Sequence, residues 1–368
     1  MSRKRKVLII DDSAVARKAL SSICSQSEDL EVVGTAPDAM IGLRKIESLK
    51  PDVITLDVEM PGMDGLTFLE KLMKSDPLPV VMVSAYTELG SSAALRALDL
   101  GAIDVVEKPR MEVRDGLNRL AELIVDKVRA ASYARVATPA ERFFDGISAE
   151  PVQISPAERE KIGSLPNQHV IAIGASTGGP QALSSIFRVL PRELPPILVV
   201  QHITPSFTES FCNSLDHDSQ LTVQLGAEGA YLQCGHAYLA PGDQHMLLRR
   251  TGDDLTLTLS GHDRVNRHRP SVDELFKSVA ESAGSFAAGI LLTGMGVDGA
   301  EGLALMRGKG AWTLAQDESS SVVFGMPRAA IEQNGADHVI GLDEIPNAIV
   351  EHFIVESNNE TSERQKEL

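Results

Sequence analysis

Three residues in the second half of the chain have the types that nucleophilic catalysis requires. Ser176 lies in Gly174-Ala175-Ser176-Thr177-Gly178, a G-x-S-x-G turn that can present a serine between a strand and a helix. His202 could accept the serine proton, and Asp298, in a glycine-rich loop, could orient the imidazole. Because each of the three follows an apolar run typical of a buried strand, we expect a Ser-His-Asp triad at one sheet edge (runs 170–173, 197–200 and 289–293).

The same residues allow other interpretations. A glycine-rich turn after a strand can also bind nucleotide phosphates, a lone histidine is often structural, and Asp298 could be a turn residue. The turn lacks the lysine of a P-loop and the spacing of a dinucleotide fingerprint, so hydrolysis is favoured. The chain order Ser, His, Asp differs from the Ser, Asp, His order of α/β-hydrolases, and the pattern does not predict membership in that family.

A serine nucleophile also needs hydrogen-bond donors for the oxyanion of its tetrahedral intermediate. The backbone N–H of Thr177, at the helix start after Ser176, is the first candidate. The N–H of Met295, in the loop that carries Asp298, is the second.

A second set of polar residues lies at strand ends in the first third of the chain. Asp11 and Asp12 end the first predicted strand, and Asp57, Ser84 and Lys108 end the third, fourth and fifth. Three converging carboxylates need a cation, and Mg²⁺ suits a site that leaves positions for water and phosphate. Asp57 can then attack a phosphoryl donor, while the hydroxyl and the ammonium contact the phosphoryl group. Taken singly, each residue could instead be a helix cap, a loop residue or a solvated charge.

Two alternating patterns of strands and helices must hold these residues. Five apolar runs within 6–128, each followed by an amphipathic stretch, predict a doubly wound, flavodoxin-like α/β domain with a five-stranded parallel sheet (runs 7–10, 32–34, 53–56, 80–83 and 105–106). A second pattern from residue 170 predicts a doubly wound, Rossmann-like α/β domain with a parallel sheet (strands 170–173, 197–200, 237–239, 255–259 and 289–293; helices 181–189 and 271–283). Ser271 and Glu274 fit a capping box.

The predicted boundaries follow the fading of these patterns. The two domains cover 1–128 and 166–356, and an alanine- and proline-containing linker covers 129–165. The polar tail 357–368 lacks periodicity and is predicted to be disordered.

Composition excludes several classes of function. A formal net charge of −16 argues against broad binding to nucleic acid or anionic lipid. The apolar stretch 7–10 that follows the basic N-terminal residues is far shorter than a signal-peptide core. No window is long and apolar enough to span a membrane, and the three cysteines lack metal-type spacing. We therefore expect a cytoplasmic monomer that does not insert into membranes.

The first third of the chain resembles the receiver domains of two-component response regulators. The resemblance implies that Asp57 is the phosphoacceptor, that Asp11 and Asp12 form the acidic pocket and that the Glu59 carbonyl is a further Mg²⁺ ligand beside Asp12 and Asp57. Ser84, where the family more often has threonine, and Lys108 would be the switch residues. It rests on Val7-Leu8-Ile9-Ile10-Asp11-Asp12-Ser13, Thr55-Leu56-Asp57-Val58-Glu59-Met60-Pro61-Gly62-Met63-Asp64-Gly65, Val83-Ser84-Ala85 and Lys108-Pro109.

The second half resembles the chemotaxis protein-glutamate methylesterases, so that the two resemblances together span nearly the full chain. This second resemblance implies a triad of Ser176, His202 and Asp298 without a cofactor. It also implies demethylation of methyl-glutamyl residues and deamidation of certain glutamines on chemotaxis receptors, under control of a chemotaxis histidine kinase. It rests on Ile173-Gly174-Ala175-Ser176-Thr177-Gly178-Gly179, Gln201-His202, Leu239-Ala240-Pro241-Gly242-Asp243-Gln244-His245-Met246, Asn266-Arg267-His268-Arg269-Pro270-Ser271-Val272-Asp273, Leu292-Thr293-Gly294-Met295-Gly296-Val297-Asp298-Gly299 and Phe324-Gly325-Met326-Pro327.

Two further expectations concern partners and control. The basic loop 264–269 could steer the enzyme toward acidic receptor helices, although a solvated or salt-bridged loop is an equally good interpretation, and the loop is left out of the predicted site. The unphosphorylated receiver is expected to restrain the esterase. The rival hypothesis is a response regulator whose second domain only binds a partner.

Overall fold

The computed structural model describes residues 3–84, 88–108, 114–136, 150–252 and 254–367. The chain divides into two compact units, Met1–Arg142 and Phe143–Leu368. Ala85, Pro109 and the middle of the predicted linker, 137–149, lie outside the described residues. Within the described part of the chain, no helix combines the length and apolarity that a bilayer span needs.

The first unit is the predicted five-stranded α/β domain. Its parallel sheet has the order β2-β1-β3-β4-β5, and β3 and β4 are buried at every position. Asp38 and Asp64 cap two of its helices by accepting backbone N–H bonds. The elements are β1 (Arg5–Ile10), α1 (Ala14–Ser25), β2 (Leu30–Ala36), α2 (Ala39–Leu49), β3 (Val53–Asp57), α3 (Gly65–Ser75), β4 (Val80–Ser84), α4 (Glu88–Asp99), β5 (Asp104–Glu107) and α5 (Arg114–Ser132).

The second unit is built on a seven-stranded parallel sheet. Its strand order is β14-β13-β12-β6-β7-β9-β8, which leaves β6, β7 and β12 side by side near the centre. The elements are α6 (Pro156–Gly163), β6 (Val170–Ala175), α7 (Gly179–Val189), β7 (Ile197–Gln201), α8 (Pro205–Asp218), β8 (Thr222–Leu225), β9 (His236–Leu239), β10 (His245–Thr251), β11 (Asp254–Ser260), α9 (Val272–Ser282), β12 (Ala287–Leu291), α10 (Ala300–Gly308), β13 (Trp312–Gln316), α11 (Met326–Glu332), β14 (His338–Ile340) and α12 (Ile345–Glu367).

One predicted strand of this unit has a different role. The run 255–259 lies in β11, which pairs antiparallel with β10 in a separate two-stranded ribbon rather than in the parallel sheet. The burial of the two strands shows the reason. All six positions of β6 are buried, whereas along β11 the buried positions alternate with partly exposed ones. Hydrophobicity alone did not distinguish the two kinds of strand.

The polar tail was predicted to be disordered, but the structure places residues 357–367 in a helix. Helix α12 continues from Ile345 to Glu367, because its first turns are anchored by the buried Ile349 and Phe353 and a started helix extends through polar residues. Helix α6, inside the predicted linker, buries Ile162 and contacts α12. Lys161 Nζ donates to Asn358 Oδ1 over 2.7 Å, which joins the end of the linker to the start of the tail.

Candidate active site and phosphorylation site

Ser176 lies where three strands of the second unit end together. Its N–H donates to the Thr293 carbonyl, 3.0 Å away beyond β12, and the His202 N–H donates to the Ala175 carbonyl over 3.0 Å. A Cβ placed on Gly294 would come within 2.7 Å of the Ser176 Cβ, so glycine is needed for this close approach. The predicted convergence of the β6, β7 and β12 ends is therefore present.

The turn after Ser176 is held by a residue that the sequence analysis gave no role. Gln201 Nε2 donates to the Ser176 carbonyl over 2.8 Å and to the His202 carbonyl over 3.2 Å. Gly178 has φ +79°, and a Cβ on Gly179 would collide with the Gln201 side chain. Gln201 thus fixes the serine turn relative to the histidine turn.

His202 and Asp298 form a buried pair. His202 Nε2 lies 2.9 Å from Asp298 Oδ2, and both side chains are almost fully shielded from solvent. Because Nε2 faces the carboxylate, this contact fixes the orientation of the imidazole ring. The pair has the arrangement expected of a general base and its orienting acid.

The Asp298 carboxylate is held at the N-terminus of α9. Burial alone would raise its pKa, but the hydrogen bond and charge of His202, the Asn266 amide and the charge of His268 outweigh burial, so the pKa lies below its usual range. The helix start favours negative charge as well. The four further donors are Asn266 Nδ2 (2.9 Å), Ser271 Oγ (2.7 Å), the Val272 N–H (2.7 Å) and the Asp273 N–H (3.2 Å).

The acidic cluster of the first unit has a different geometry. Lys108 Nζ lies 2.7 Å from Asp57 Oδ2 and 3.1 Å from Asp11 Oδ2. The Lys108 N–H donates to the Ser84 carbonyl over 2.7 Å, which joins the ends of β4 and β5 beside the cluster. Four of the predicted residues therefore meet at this edge, and Asp12 lies at its exposed side.

Burial dominates the ionisation of these acids. It raises the pKa of Asp57 to about 6, with the neighbouring Asp11 charge acting in the same direction and the Lys108 contact opposing it. Burial also raises the pKa of Asp11 despite Lys108. For Lys108, burial acts to lower the pKa, but the two carboxylates outweigh it and the net direction is upward.

Comparison with known proteins matches one family model to each of the two units. The family model described as CheB methylesterase matches residues 171–349, and that of the response regulator receiver domain matches residues 7–120. A protein-glutamate methylesterase/protein-glutamine glutaminase of Methylobacillus flagellatus is 46% identical over 353 residues, which cover 96% of this chain and 98% of the relative. One of Bordetella bronchiseptica is 49% identical over 349 residues, covering 95% of this chain and 97% of the relative.

The chain belongs to the CheB methylesterase family. It carries the family's protein-glutamate methylesterase/protein-glutamine glutaminase domain behind a receiver domain. Among solved structures, the Thermotoga maritima CheB methylesterase catalytic domain is 38% identical, with a TM-score of 0.49, and covers 50% of this chain and 97% of that one.

The loop that was left out of the predicted site contributes to it in this CheB-family chain. Asn266 Nδ2 donates to both Asp298 and Asp273, and the His268 ring stacks on the His202 ring with 3.7 Å between centroids. Ser271, predicted only as a helix cap, also donates to Asp298. These residues lie in the segment 266–273, one of the segments that carry the resemblance to methylesterases. Nothing in the spacing of that segment indicated that it contacts the predicted triad.

The two predicted oxyanion donors lie on either side of the serine turn. Thr177 directly follows Ser176 and is almost fully buried, and Met295 follows the glycine that packs against Ser176. Among the residues that the structure describes, neither backbone N–H has a hydrogen-bond acceptor. Both amides are thus compatible with a role as donors to a bound oxyanion.

The residues of the receiver site fit a hard divalent cation. Carboxylate oxygens of Asp11, Asp12 and Asp57 lie within 4.8 Å of one another, and hard oxygen ligands are those that Mg²⁺ prefers. Burial, and to a smaller extent the neighbouring carboxylate, raises the pKa of Asp11 and of Asp57, and a bound cation would favour the charged form of both groups. Arg17, which the sequence analysis did not single out, supports the cluster by donating to the Asp11 and Asp12 carbonyls over 2.7 and 2.9 Å.

Proposed function

We propose that Ser176, His202 and Asp298 hydrolyse methyl-glutamyl esters and selected glutamine amides on chemotaxis receptors. The observation that carries the assignment is the buried His202–Asp298 pair, 2.9 Å long, at the sheet edge where Ser176 is packed against Gly294. The names of the relatives, protein-glutamate methylesterase/protein-glutamine glutaminase, supply the substrate class.

The reaction follows from these groups. Ser176 Oγ attacks the side-chain carbonyl, and its proton passes to His202, whose Nδ1 is the ring nitrogen turned away from Asp298. The Thr177 and Met295 N–H groups donate to the oxyanion. As the tetrahedral intermediate collapses, His202 gives the proton to the departing ester oxygen to form methanol, or to the departing amide nitrogen to form ammonia when a glutamine is the substrate. Water, with His202 again accepting a proton, then hydrolyses the acyl-serine to release the glutamate carboxylate and restore Ser176. No cofactor is assigned to this unit.

The receiver assignment rests on the Asp57 cluster. Asp57 receives a phosphoryl group from a chemotaxis histidine kinase, and Ser84 and Lys108 respond to the new charge. Asp12, Asp57 and the Glu59 carbonyl would hold Mg²⁺, with Asp11 in the acidic pocket. When bound, the cation neutralises charge around the phosphoryl oxygens.

We also assign the chain to the cytoplasm as a monomer. Cys24, Cys212 and Cys234 are free thiols, in keeping with a reducing compartment. Sedimentation of the purified chain checks the oligomeric state.

The esterase assignment is tested by Ser176→Ala. We expect methanol release from methylated receptor membranes to fall by on the order of 10⁶-fold, because the nucleophile is lost. Ser185→Ala on α7 removes the same atom from another buried serine and serves as the matched control. Substantial methanol release by folded Ser176→Ala would remove Ser176 from its role, and no release by the native chain would favour a pure binding module.

Regulation is tested by comparing the full chain with one that begins at Glu150. This start keeps α6, whose Ile162 is buried, whereas a start at Ser164 would remove it. We expect the shorter chain to release methanol about tenfold faster than the unphosphorylated full chain, which corresponds to a bias of roughly 1.4 kcal/mol. If the shorter chain is no faster, restraint by the receiver is wrong.

A further inference from the structure

The loop beside the triad makes an unusual tight turn. Val265 and His268 exchange two backbone hydrogen bonds, 3.1 and 2.8 Å long, around the two central residues Asn266 and Arg267. The φ angles of these central residues are +51° and +70°. Positive φ at both central positions is the signature of a type I′ turn.

The second central position does not suit arginine. Asparagine tolerates the left-handed region, and the second position strongly favours glycine because a side chain is strained there. The Arg267 side chain is exposed, so core packing does not explain its presence. A strained residue that the fold does not require is a signal of function.

The turn fixes Arg267 next to the catalytic groups. The residue before it donates to Asp298 over 2.9 Å, and the residue after it stacks on His202 at 3.7 Å. Because both neighbours contact the triad, the Arg267 backbone is fixed at the rim of the site. Its carbonyl accepts a bond of 3.3 Å from Arg264 Nη1, which braces the turn further.

The other two arginines of the loop are engaged within the protein. Arg269 contacts Asp243 at 2.9 Å and also donates to the carbonyls of Gly261 and His262. Arg264 lies 3.5 Å from the same aspartate. No carboxylate of a described residue forms an ion pair with Arg267. Arg267 is therefore the loop cation that is left for an external anion.

We propose that Arg267 is a specificity residue that binds a free carboxylate of the substrate segment beside the scissile ester. The inference rests on the proposed function: demethylation and deamidation both leave a glutamate carboxylate on the substrate, so a segment already processed near the scissile ester carries free carboxylates. A chain with formal net charge −16 repels such a partner at long range. A guanidinium at the rim offsets that repulsion locally and favours acidic segments.

The test uses two methyl-glutamyl peptides of the same length with the full chain. One peptide has glutamates beside the ester, and the other has glutamines there. We expect the native chain to have the higher kcat/KM on the acidic peptide. Arg267→Gln and Arg267→Gly should each lower the ratio of the two kcat/KM values about fivefold, as expected for loss of one exposed ion pair.

Further variants separate recognition from structure. Arg267→Lys should retain most of the preference, and Arg249→Gln, which removes an exposed arginine from the β10–β11 ribbon, should leave the ratio unchanged. Arg267→Gly suits the positive φ, so its melting temperature should stay the same or rise. The preference of the native chain should also weaken with added salt.

The possible results distinguish the two hypotheses. Equal losses on both peptides, or an unchanged ratio in Arg267→Gln, would overturn the specificity role while leaving the esterase assignment intact. Hydrolysis of neither peptide and no methanol release from receptor membranes by the native chain would overturn the proposed function itself.

Discussion

Asp57 and Asp298 are both buried aspartates near the carboxyl ends of parallel strands, yet their surroundings differ. Asp57 accepts from Lys108 at 2.7 Å and from the Glu59 N–H at 3.3 Å, and it lies beside the Asp11 carboxylate. Asp298 accepts from five donors, two of which are backbone N–H groups at the start of α9. The pKa of Asp57 is raised and that of Asp298 is lowered.

The difference shows that burial alone does not determine what an aspartate can do. A carboxylate with few donors and an acidic neighbour remains reactive and gains from a cation or a covalent partner. A carboxylate surrounded by donors stays ionised and fixed, which suits the orientation of an imidazole. The surroundings of Asp57 therefore suit its proposed role as a nucleophile, and those of Asp298 suit its proposed role as an orienting group.

The largest expected effect comes from exchanging each carboxylate for its amide. Asp298→Asn should lower methanol release on the order of 10⁴-fold, if the serine-protease precedent applies, because the amide no longer holds the imidazole in its useful tautomer. Asp57→Asn is the matched control: it should abolish incorporation of a phosphoryl group from a small phosphodonor and leave the basal esterase rate of the unphosphorylated chain in place. A near-normal rate for Asp298→Asn would show that Asp298 has no part in catalysis and is only a turn residue.

A smaller effect is expected when one of the five donors to Asp298 is removed. Asn266→Gly keeps the positive φ but deletes the amide that contacts Asp298 and Asp273. The free energy of unfolding of the second unit should fall by about 1.5–3 kcal/mol, since a hydrogen bond to a charged group is lost. Denaturant titration measures this change.

The isosteric Asn266→Asp variant sharpens the same test. It would add a third carboxylate next to Asp298 and Asp273, so it should destabilise the second unit more than Asn266→Gly does. Equal stability of both variants and the native chain would show that the Asn266 contacts contribute little.

The smallest effect is a difference in sign in the pH dependence of stability, measured without Mg²⁺. The folded pKa of Asp298 is lowered, so its stabilisation is present above about pH 3.9, the ordinary aspartate pKa, and is lost as pH falls toward the folded value. The folded pKa of Asp57 is raised to about 6, so its charge destabilises the fold above that pH and has no such effect below about 3.9.

Melting curves of the two amide variants test these signs. At pH 7, Asp298→Asn should lower the melting temperature of the second unit, and Asp57→Asn should raise that of the first by a few degrees, at roughly 2–8 °C for each kcal/mol in domains of these sizes. Both differences should shrink toward pH 3.5. Shifts of the same sign in both units would refute the contrast between the two carboxylates.

The sequence by itself determined the alternation of parallel strands and helices in the first unit, the β6, β7 and β12 strands and the sheet edge at which these three strands end. The periodicity of apolar residues and the short apolar runs specify the strands, and parallel strands bring their carboxyl ends to one edge of the sheet. The ribbon of β10 and β11 and the helical tail depended on which surfaces pack together, and sequence periodicity does not contain that information.

Only the tertiary structure decided which polar side chains contact the residues of the proposed triad. Gln201, Asn266 and His268 have ordinary residue types for loops and strand ends, and their contacts join segments far apart in the chain. The same holds for Arg267, whose importance follows from a positive φ and from what its neighbours touch. Local sequence sets what each segment can form, whereas long-range packing determines which hydrogen bonds each carboxylate receives and thereby its pKa and its role.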